Sequence, residues 1–173
     1  MAKSLSRRTF FKVGLATIAA APVGYAVITS FGGYAPRAGL KHLSTKHAAV
    51  VEAVGGVFIP SENNPIGISI QEAGLVQNVD DYLGICPKFI RGRFKILLWA
   101  VEHIFPLRCF YFSRFTRLTV DERRRVLETF DQSVIPELRA VVRALKIIIF
   151  FSYYDHGPVS EKLGVPQACL GRP

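Results

Sequence analysis

Residues 13 to 31 contain no charged side chain, and this uncharged run restricts the fold more than any other feature of the chain. Its nineteen residues come close to the roughly 20 apolar residues that a helix needs to span a bilayer. A short basic segment precedes it. The charged residues of that segment are Lys3, Arg7, Arg8 and Lys12. We therefore expect residues 1–35 to be a targeting or anchoring segment, and the globular core to lie within residues 36–173.

The paired arginines stand in a specific sequence context. A serine precedes them and two phenylalanines and a lysine follow, ahead of a run whose Ala, Gly, Thr and Ser residues keep its hydrophobicity moderate. This combination is typical of the twin-arginine signals that send proteins across the cytoplasmic membrane already folded. The predicted export-signal residues are Ser6, Arg7, Arg8, Phe10, Phe11 and Lys12.

Two stretches of small residues could serve as processing sites, Ala19-Ala20-Ala21 and Gly33-Tyr34-Ala35. Each is followed directly by a proline, which is unfavourable just after a cleavage point. Two outcomes therefore stay open. The segment is either removed, which gives a periplasmic protein, or retained as a helix that anchors the protein in the cytoplasmic membrane with its basic end inside.

The net charge of +9 is distributed unevenly. Residues 1–35 contribute +4, and residues 86–125 carry ten lysines or arginines against three acidic residues. A basic region of this kind can face nucleic acid, lipid headgroups or an acidic protein. Export argues against nucleic acid as the partner. A solvated face that contacts nothing is the other interpretation.

Apolar residues recur with helical spacing throughout residues 36–173, and no stretch shows the alternation of a β-strand. We predict an all-α domain of about five helices, followed by an irregular tail from residue 152 to 173. The predicted helices cover residues 46–58, 69–83 and 88–105, and two more begin at Thr119 and Pro136. The Gly55-Gly56 pair weakens the first helix locally and suggests close packing there.

Local signals define several helix ends. Ser69 with Glu72 and Thr119 with Glu122 have the spacing of capping boxes, and Pro106 is expected to end the third helix. We predict that Arg123 to Arg125 lie on the outer side of the fourth helix. The residues expected to form the buried stripe of the third helix are Phe89, Ile96, Leu97, Ala100 and Ile104.

No phosphate-binding loop, nucleophile elbow or metalloprotease motif is present, and we predict no catalytic, cofactor-binding or metal-binding residue in this chain. Glu102 and His103 are adjacent on a helix, so their side chains should diverge. Asp80-Asp81 is interpreted as a solvated acidic pair. The segment after the last helix is a candidate partner contact or an aromatic pair that closes the core. Its residues are Tyr153, Tyr154 and His156.

Three cysteines are present, at positions 86, 109 and 169. An exported protein can form disulfides, and three thiols allow one bridge and leave one cysteine over. Cys86 and Cys169 both fall in predicted loops. This placement suits a bridge to each other or to a partner, and Cys86 and Cys169 are the candidate disulfide residues.

Three sets of motifs, taken in order, resemble the gluconate 2-dehydrogenase subunit 3 family. The first is the twin-arginine leader. The second comprises Val57-Phe58-Ile59-Pro60, Glu72-Ala73-Gly74-Leu75 and Val79-Asp80-Asp81-Tyr82-Leu83. The third comprises Leu118-Thr119, Arg123-Arg124-Arg125-Val126-Leu127, Ser152-Tyr153-Tyr154 and Leu163-Gly164-Val165-Pro166.

The resemblance implies a non-catalytic small subunit. In such complexes a large flavoprotein of the glucose-methanol-choline type holds FAD and oxidises a sugar or alcohol, and a cytochrome c subunit with haem c often takes the electrons. The small subunit carries the export signal, through the twin-arginine translocase, for a flavoprotein that has none. The small subunit itself is expected to bind no cofactor.

Two other functions are consistent with the sequence. The uncharged leader, the apolar segment of residues 145–151 and the basic middle would suit a membrane-anchored accessory subunit of another periplasmic redox or photosynthetic complex. A free-standing exported enzyme would need a converging site. Glu102, His103 and His156 are its only candidates.

Overall fold

The computed structural model describes residues 33–60, 64–155 and 157–164. These residues form helices and include no β-strand, so the all-α prediction is confirmed for this part of the chain. The helices are α1 (Thr45–Phe58), α2 (Leu75–Ile85), α3 (Lys88–Arg108), a 3-10 helix (Phe115–Arg117), α4 (Val120–Asp131), α5 (Pro136–Tyr154) and α6 (Gly157–Lys162). None of these helices has the length and apolar character needed to cross a membrane.

Helix α1 is the central helix, because it packs against α2, α3, α4, α5 and the 3-10 helix. Its buried side chains are all small or β-branched, which lets the neighbouring helices approach closely. They are Ala48, Val50, Val51, Ala53, Val54, Gly55 and Val57. The predicted close packing is confirmed at Gly55, where an added Cβ would lie 2.5 Å from Cδ2 of Leu75. A side chain at this position would push α2 away from α1.

The two predicted capping boxes both form, but only one starts a long helix. At Thr119 the side chain accepts the Glu122 amide and the Glu122 carboxylate accepts the Thr119 amide, and α4 begins there as predicted. At Ser69 the reciprocal bonds to Glu72 measure 2.8 and 3.1 Å. The helix predicted from Ser69 is nevertheless wrong in its start, because α2 begins only at Leu75.

Gly74 ends the turn that the Ser69 box opens. Its φ of +60° is left-handed, its amide donates to the Gln71 carbonyl at 3.0 Å, and the Leu75 amide donates to the Ile70 carbonyl at 3.1 Å. These two bonds form a Schellman motif, which normally closes the C-terminus of a helix. The turn that begins at Ser69 therefore ends at Gly74, and α2 begins after it as a separate helix.

Two alanine substitutions should change stability in opposite directions. Gly74→Ala places a side chain in a left-handed conformation and should lower the free energy of unfolding by about 1 kcal/mol. Gly92→Ala, in an exposed stretch of α3, should raise it by about 0.5–1 kcal/mol. An added Cβ meets no atom within 4 Å at either site, so backbone conformation alone decides the sign. Urea denaturation measures both, and changes of equal sign would contradict this account.

Two predicted boundaries near the C-terminal half are corrected. Pro106 does not end α3, which continues to Arg108, because a proline in the last turn removes only one backbone hydrogen bond and Pro106 itself is buried.

The tail predicted from residue 152 to 173 is helical at its start. Helix α5 runs to Tyr154, and α6 follows with Val159 buried against the rest of the protein. Residues 165–173 lie outside the described part.

Asp80 is fully buried on α2, in contrast to the solvated pair that the sequence suggests. Its carboxylate accepts three consecutive backbone amides, from Lys41 at 2.8 Å, His42 at 2.9 Å and Leu43 at 2.6 Å. The segment before α1 has no secondary structure to satisfy these amides, so the carboxylate fixes it in place. Burial by itself raises the pKa of the Asp80 carboxyl, but the three N–H donors outweigh it and hold that pKa below its usual value.

We expect Asp80→Asn to lower the free energy of unfolding at neutral pH by about 2–3 kcal/mol, because an amide nitrogen then faces backbone donors. Because the folded-state pKa of Asp80 is depressed, the ionised carboxylate stabilises the folded protein at pH values above the unfolded-state pKa of about 3.9. This stabilisation is lost as the pH falls through the folded-state pKa. The difference between wild type and variant should therefore shrink below about pH 4. Urea denaturation at several pH values measures this difference in the free energy of unfolding, with Asp81→Asn, on an exposed side chain, as the control. A difference that stays constant at all pH values would refute the role given to the Asp80 carboxylate.

Candidate functional site

Glu102 lies at the centre of a buried polar cluster on the inner side of α3. Its carboxylate accepts the Tyr34 hydroxyl at 2.6 Å, the Thr116 hydroxyl at 2.7 Å and the Thr116 amide at 3.1 Å. The ring of His103 lies beside Trp99 instead, with centroids 5.5 Å apart. The three hydrogen bonds to the Glu102 carboxylate come from Tyr34 and Thr116, whereas the ring contact of His103 is with Trp99. Burial lowers the pKa of His103, which keeps its ring neutral near pH 7.

Two arginines complete this cluster. Arg114 is buried and its guanidinium carbon lies 4.6 Å from the centre of the Tyr34 ring. Arg123 donates to the carbonyls of Phe115 at 3.1 Å and Thr116 at 2.6 Å. Arg123 was predicted to lie outside with its two neighbours, and that prediction is wrong for it. The 3-10 helix offers carbonyls that only a long cationic side chain from α4 can reach.

The geometry gives Glu102 a structural role. Three protein donors occupy its oxygens, so the carboxylate orders the segments around it and is poorly placed to take a proton from a substrate. Burial, and then the hydrogen bond to Glu102, raises the pKa of Tyr34 to about 12, so the phenol stays a donor. Tyr34 belongs to the predicted processing stretch Gly33-Tyr34-Ala35. The cluster therefore holds the side chain of Tyr34, the middle residue of that stretch, against α3.

A double-mutant cycle should detect the bond between Tyr34 and Glu102. Tyr34→Phe alone should lower the free energy of unfolding by about 1–2 kcal/mol, and by clearly less when Glu102→Gln is already present. Tyr154→Phe, on an exposed ring, serves as the control and should change stability by less than about 0.5 kcal/mol. Equal effects of Tyr34→Phe in both backgrounds, measured by urea denaturation, would show that the two residues are not coupled.

The opposite side of α3 carries an exposed apolar surface. We define the outer face of α3 as Phe89, Arg93, Ile96, Trp99, Ala100 and Ile104. The exposed fractions of Phe89, Ile96 and Ile104 are 61%, 68% and 46%. The residues that α3 buries are Phe94, Leu98, Val101, Glu102, His103, Phe105 and Pro106.

The predicted buried stripe of α3 is therefore wrong. Phe89, Ile96 and Ile104 are exposed, and Leu97 and Ala100 are only half-buried. The stripe does lie along one side of the helix, but α3 has apolar residues on two sides. Helical periodicity cannot say which side meets α1, and packing selects the side with Phe94, Leu98 and Val101.

The outer face is positively charged. The Arg93 guanidinium carbon lies 3.9 Å from the centre of the Phe89 ring, and Lys88 and Arg108 are exposed near the two helix ends. The sequence has a single acidic residue between positions 86 and 120, the buried Glu102. Not every basic side chain of residues 86–125 is free, since Arg91 donates to three carbonyls at the end of α2. The basic residues that lie on the outer face or near its ends are Lys88, Arg93 and Arg108.

A strained turn follows α3. Phe110 has a φ of +61°, which makes it the one non-glycine residue of the described part with a left-handed backbone. Its amide donates to the Leu107 carbonyl at 3.1 Å, and the Tyr111 amide donates to the Pro106 carbonyl at 2.9 Å. This is again a Schellman motif, in which the left-handed position usually holds glycine. A phenylalanine there costs about 1–2 kcal/mol.

The candidate partner contact at the C-terminal end divides into separate parts. Tyr153 is buried, and its hydroxyl donates to the Ile68 carbonyl at 2.6 Å, so it closes the core. Tyr154 is partly exposed and stays a candidate contact. His156 lies outside the described residues. A groove of about 330 Å³ runs beside this end of α5, lined by Asn78, Asp81, Tyr82, Ile85, Phe151, Ser152 and Asp155.

The other predicted site residues are accounted for as follows. Cys86 and Cys109 form no disulfide within the described residues, and Cys169 lies outside them, so the Cys86–Cys169 bridge stays a prediction. The export-signal residues also lie outside them. No three His, Cys, Asp or Glu side chains within residues 33–60, 64–155 and 157–164 are arranged to hold a metal ion.

Sequence reasoning missed two features of this site. Helical periodicity predicts the outer face of α3 to be core, and no sequence signal marks Phe110, because a turn residue cannot be recognised as left-handed when it is not glycine. Comparison of the chain with protein-family models, with curated proteins and with solved structures finds no match. The family suggested by the motifs stays a prediction.

Proposed function

We propose that this chain is a non-catalytic small subunit that escorts a folded, FAD-loaded dehydrogenase subunit of the glucose-methanol-choline type through the twin-arginine pathway and stays bound to it. The dehydrogenase subunit performs the oxidation, and a cytochrome c subunit with haem c is the expected electron acceptor. The assembled complex functions in the periplasm, and an uncleaved leader would hold it at the cytoplasmic membrane.

The outer face of α3 is the observation that carries this proposal. Phe89, Ile96 and Ile104 expose apolar area along about 22 Å of helix, since fifteen steps of 1.5 Å separate the first residue from the last. Contiguous apolar surface of this kind, bordered by charge, is typical of protein interaction sites. A subunit whose task is to bind another protein needs such a surface.

The predicted export signal explains why this chain would need a surface that binds another protein. A flavin is inserted during folding in the cytoplasm, so its protein must cross the membrane folded. A partner without a signal can do so only while attached to a chain that has one. The sequence motif Ser6-Arg7-Arg8 and the outer face of α3 would then serve a single function, with the first directing export and the second holding the exported partner.

Co-purification from the cells that naturally produce the protein tests the proposal. The full chain with a C-terminal affinity tag should recover a flavoprotein from the periplasmic or membrane fraction, identified by flavin fluorescence. With Arg7→Lys and Arg8→Lys combined, both proteins should stay in the cytoplasm. Lysine keeps the positive charge but lacks the planar guanidinium, so the loss would reflect the paired arginines themselves.

The matched control is Lys3→Arg, which changes a basic residue outside the motif and should leave export of both proteins intact. The proposal fails if the wild-type chain recovers no flavin-containing protein. It also fails if the flavoprotein reaches the periplasm equally well beside the double-lysine variant. Recovery of a flavin-free redox protein from membranes would instead favour an accessory subunit of another periplasmic complex.

A further inference from the structure

The aromatic turn after α3, Cys109 to Ser113, combines strain with exposure. Phe110 has a left-handed backbone, and 84% of its surface is exposed. Phe112, two residues later, is 75% exposed. Strained conformations persist where the surrounding structure enforces them, and they concentrate at functional sites. A glycine at position 110 would relieve the strain, so the ring needs an explanation outside the folding of this chain.

The backbone of this turn is fixed on both sides. Phe105 stacks on Phe130 with centroids 3.6 Å apart before the turn, and Phe115 is fully buried after it. Tyr111, between the two exposed phenylalanines, packs against the core. The backbone of Phe110 therefore has a defined conformation. A backbone that is already fixed loses little entropy on binding, which suits the position of an interface anchor.

The charges near the turn indicate the chemistry of its partner. Arg108 and Arg117 are exposed on either side of it, and the only acidic residue between positions 86 and 120 is the buried Glu102. A matching surface must offer an apolar pocket with negative groups around it. Carboxylates of a protein and phosphates of a lipid both meet the charge requirement. A fluid bilayer, however, gains nothing from a backbone held in one strained conformation, whereas a shaped pocket does.

We propose that Phe110 is the anchor by which this chain binds the flavoprotein subunit, entering an apolar pocket that carboxylates border, with Phe112 and the outer face of α3 in contact around it. This inference rests on the proposed function and adds to it the position and chemistry of the interface. The carboxylates of the pocket would pair with Arg108 and Arg117. Removal of a central aromatic anchor commonly weakens binding by tenfold or more.

Phe110→Gly separates binding from folding. The variant relieves the left-handed strain, so its thermal unfolding temperature should equal or exceed that of the wild type. Its affinity for the purified flavoprotein subunit should fall about tenfold or more, measured with the full-length chain immobilised. Phe110→Ala should bind equally weakly while unfolding at a lower temperature than Phe110→Gly, because alanine keeps the strain. Val134→Ala, which trims another strongly exposed apolar side chain, is the control and should bind as the wild type does.

The outcomes are distinct. If Phe110→Gly binds the flavoprotein as tightly as the wild type, the anchor is refuted while the proposed function stands. If the wild-type chain binds no flavoprotein, the proposed function and the anchor both fail. Flotation with phosphatidylglycerol-containing vesicles addresses the lipid alternative. If Phe110→Gly loses vesicle binding but keeps the flavoprotein, the turn faces lipid and the inference is overturned.

Discussion

The close approach of α1 to its neighbours is the constraint on which the rest of the structure depends. At Gly55 the start of α2 lies so near that even a methyl group would meet Leu75. Four other elements also pack on α1, and its buried residues are no larger than valine. A helix of small residues can be surrounded because its backbone takes little space. The larger side chains of the core come from the helices around it, such as Leu98 of α3 and Leu145 of α5.

Buried carboxylates provide hydrogen-bond acceptors for the backbone amides of segments that have no regular secondary structure. Asp80 accepts the amides of residues 41–43, and Glu102 accepts the amide and the hydroxyl of Thr116 together with the Tyr34 hydroxyl. An ionised carboxylate can accept several hydrogen bonds at once, so one residue can order a whole segment. The acids that a search for catalysis would examine first are thus occupied with structure. The outer face of α3, by contrast, is apolar and basic.

The parts of the fold that local chemistry decides could be predicted from the sequence. The Thr119 box starts α4, Pro136 opens α5, and Gly55 marks close packing. Local chemistry was insufficient where two local signals competed. The Ser69 box is real, yet Gly74 ends its helix after one turn because the left-handed conformation costs glycine nothing. The opposite error occurred at Pro106, since a proline in the last turn of a helix is tolerated when its neighbours are buried.

The candidate site shows the same division. The sequence by itself determined the all-α class of the described residues, most of the helix starts and the concentration of positive charge in residues 86–125. Only the tertiary structure decided which apolar side of α3 faces α1, that Tyr153 is core, and that Phe110 is left-handed and exposed. The physical reason is that periodicity and caps are properties of a few neighbouring residues. Burial and backbone strain depend on residues far away in the chain.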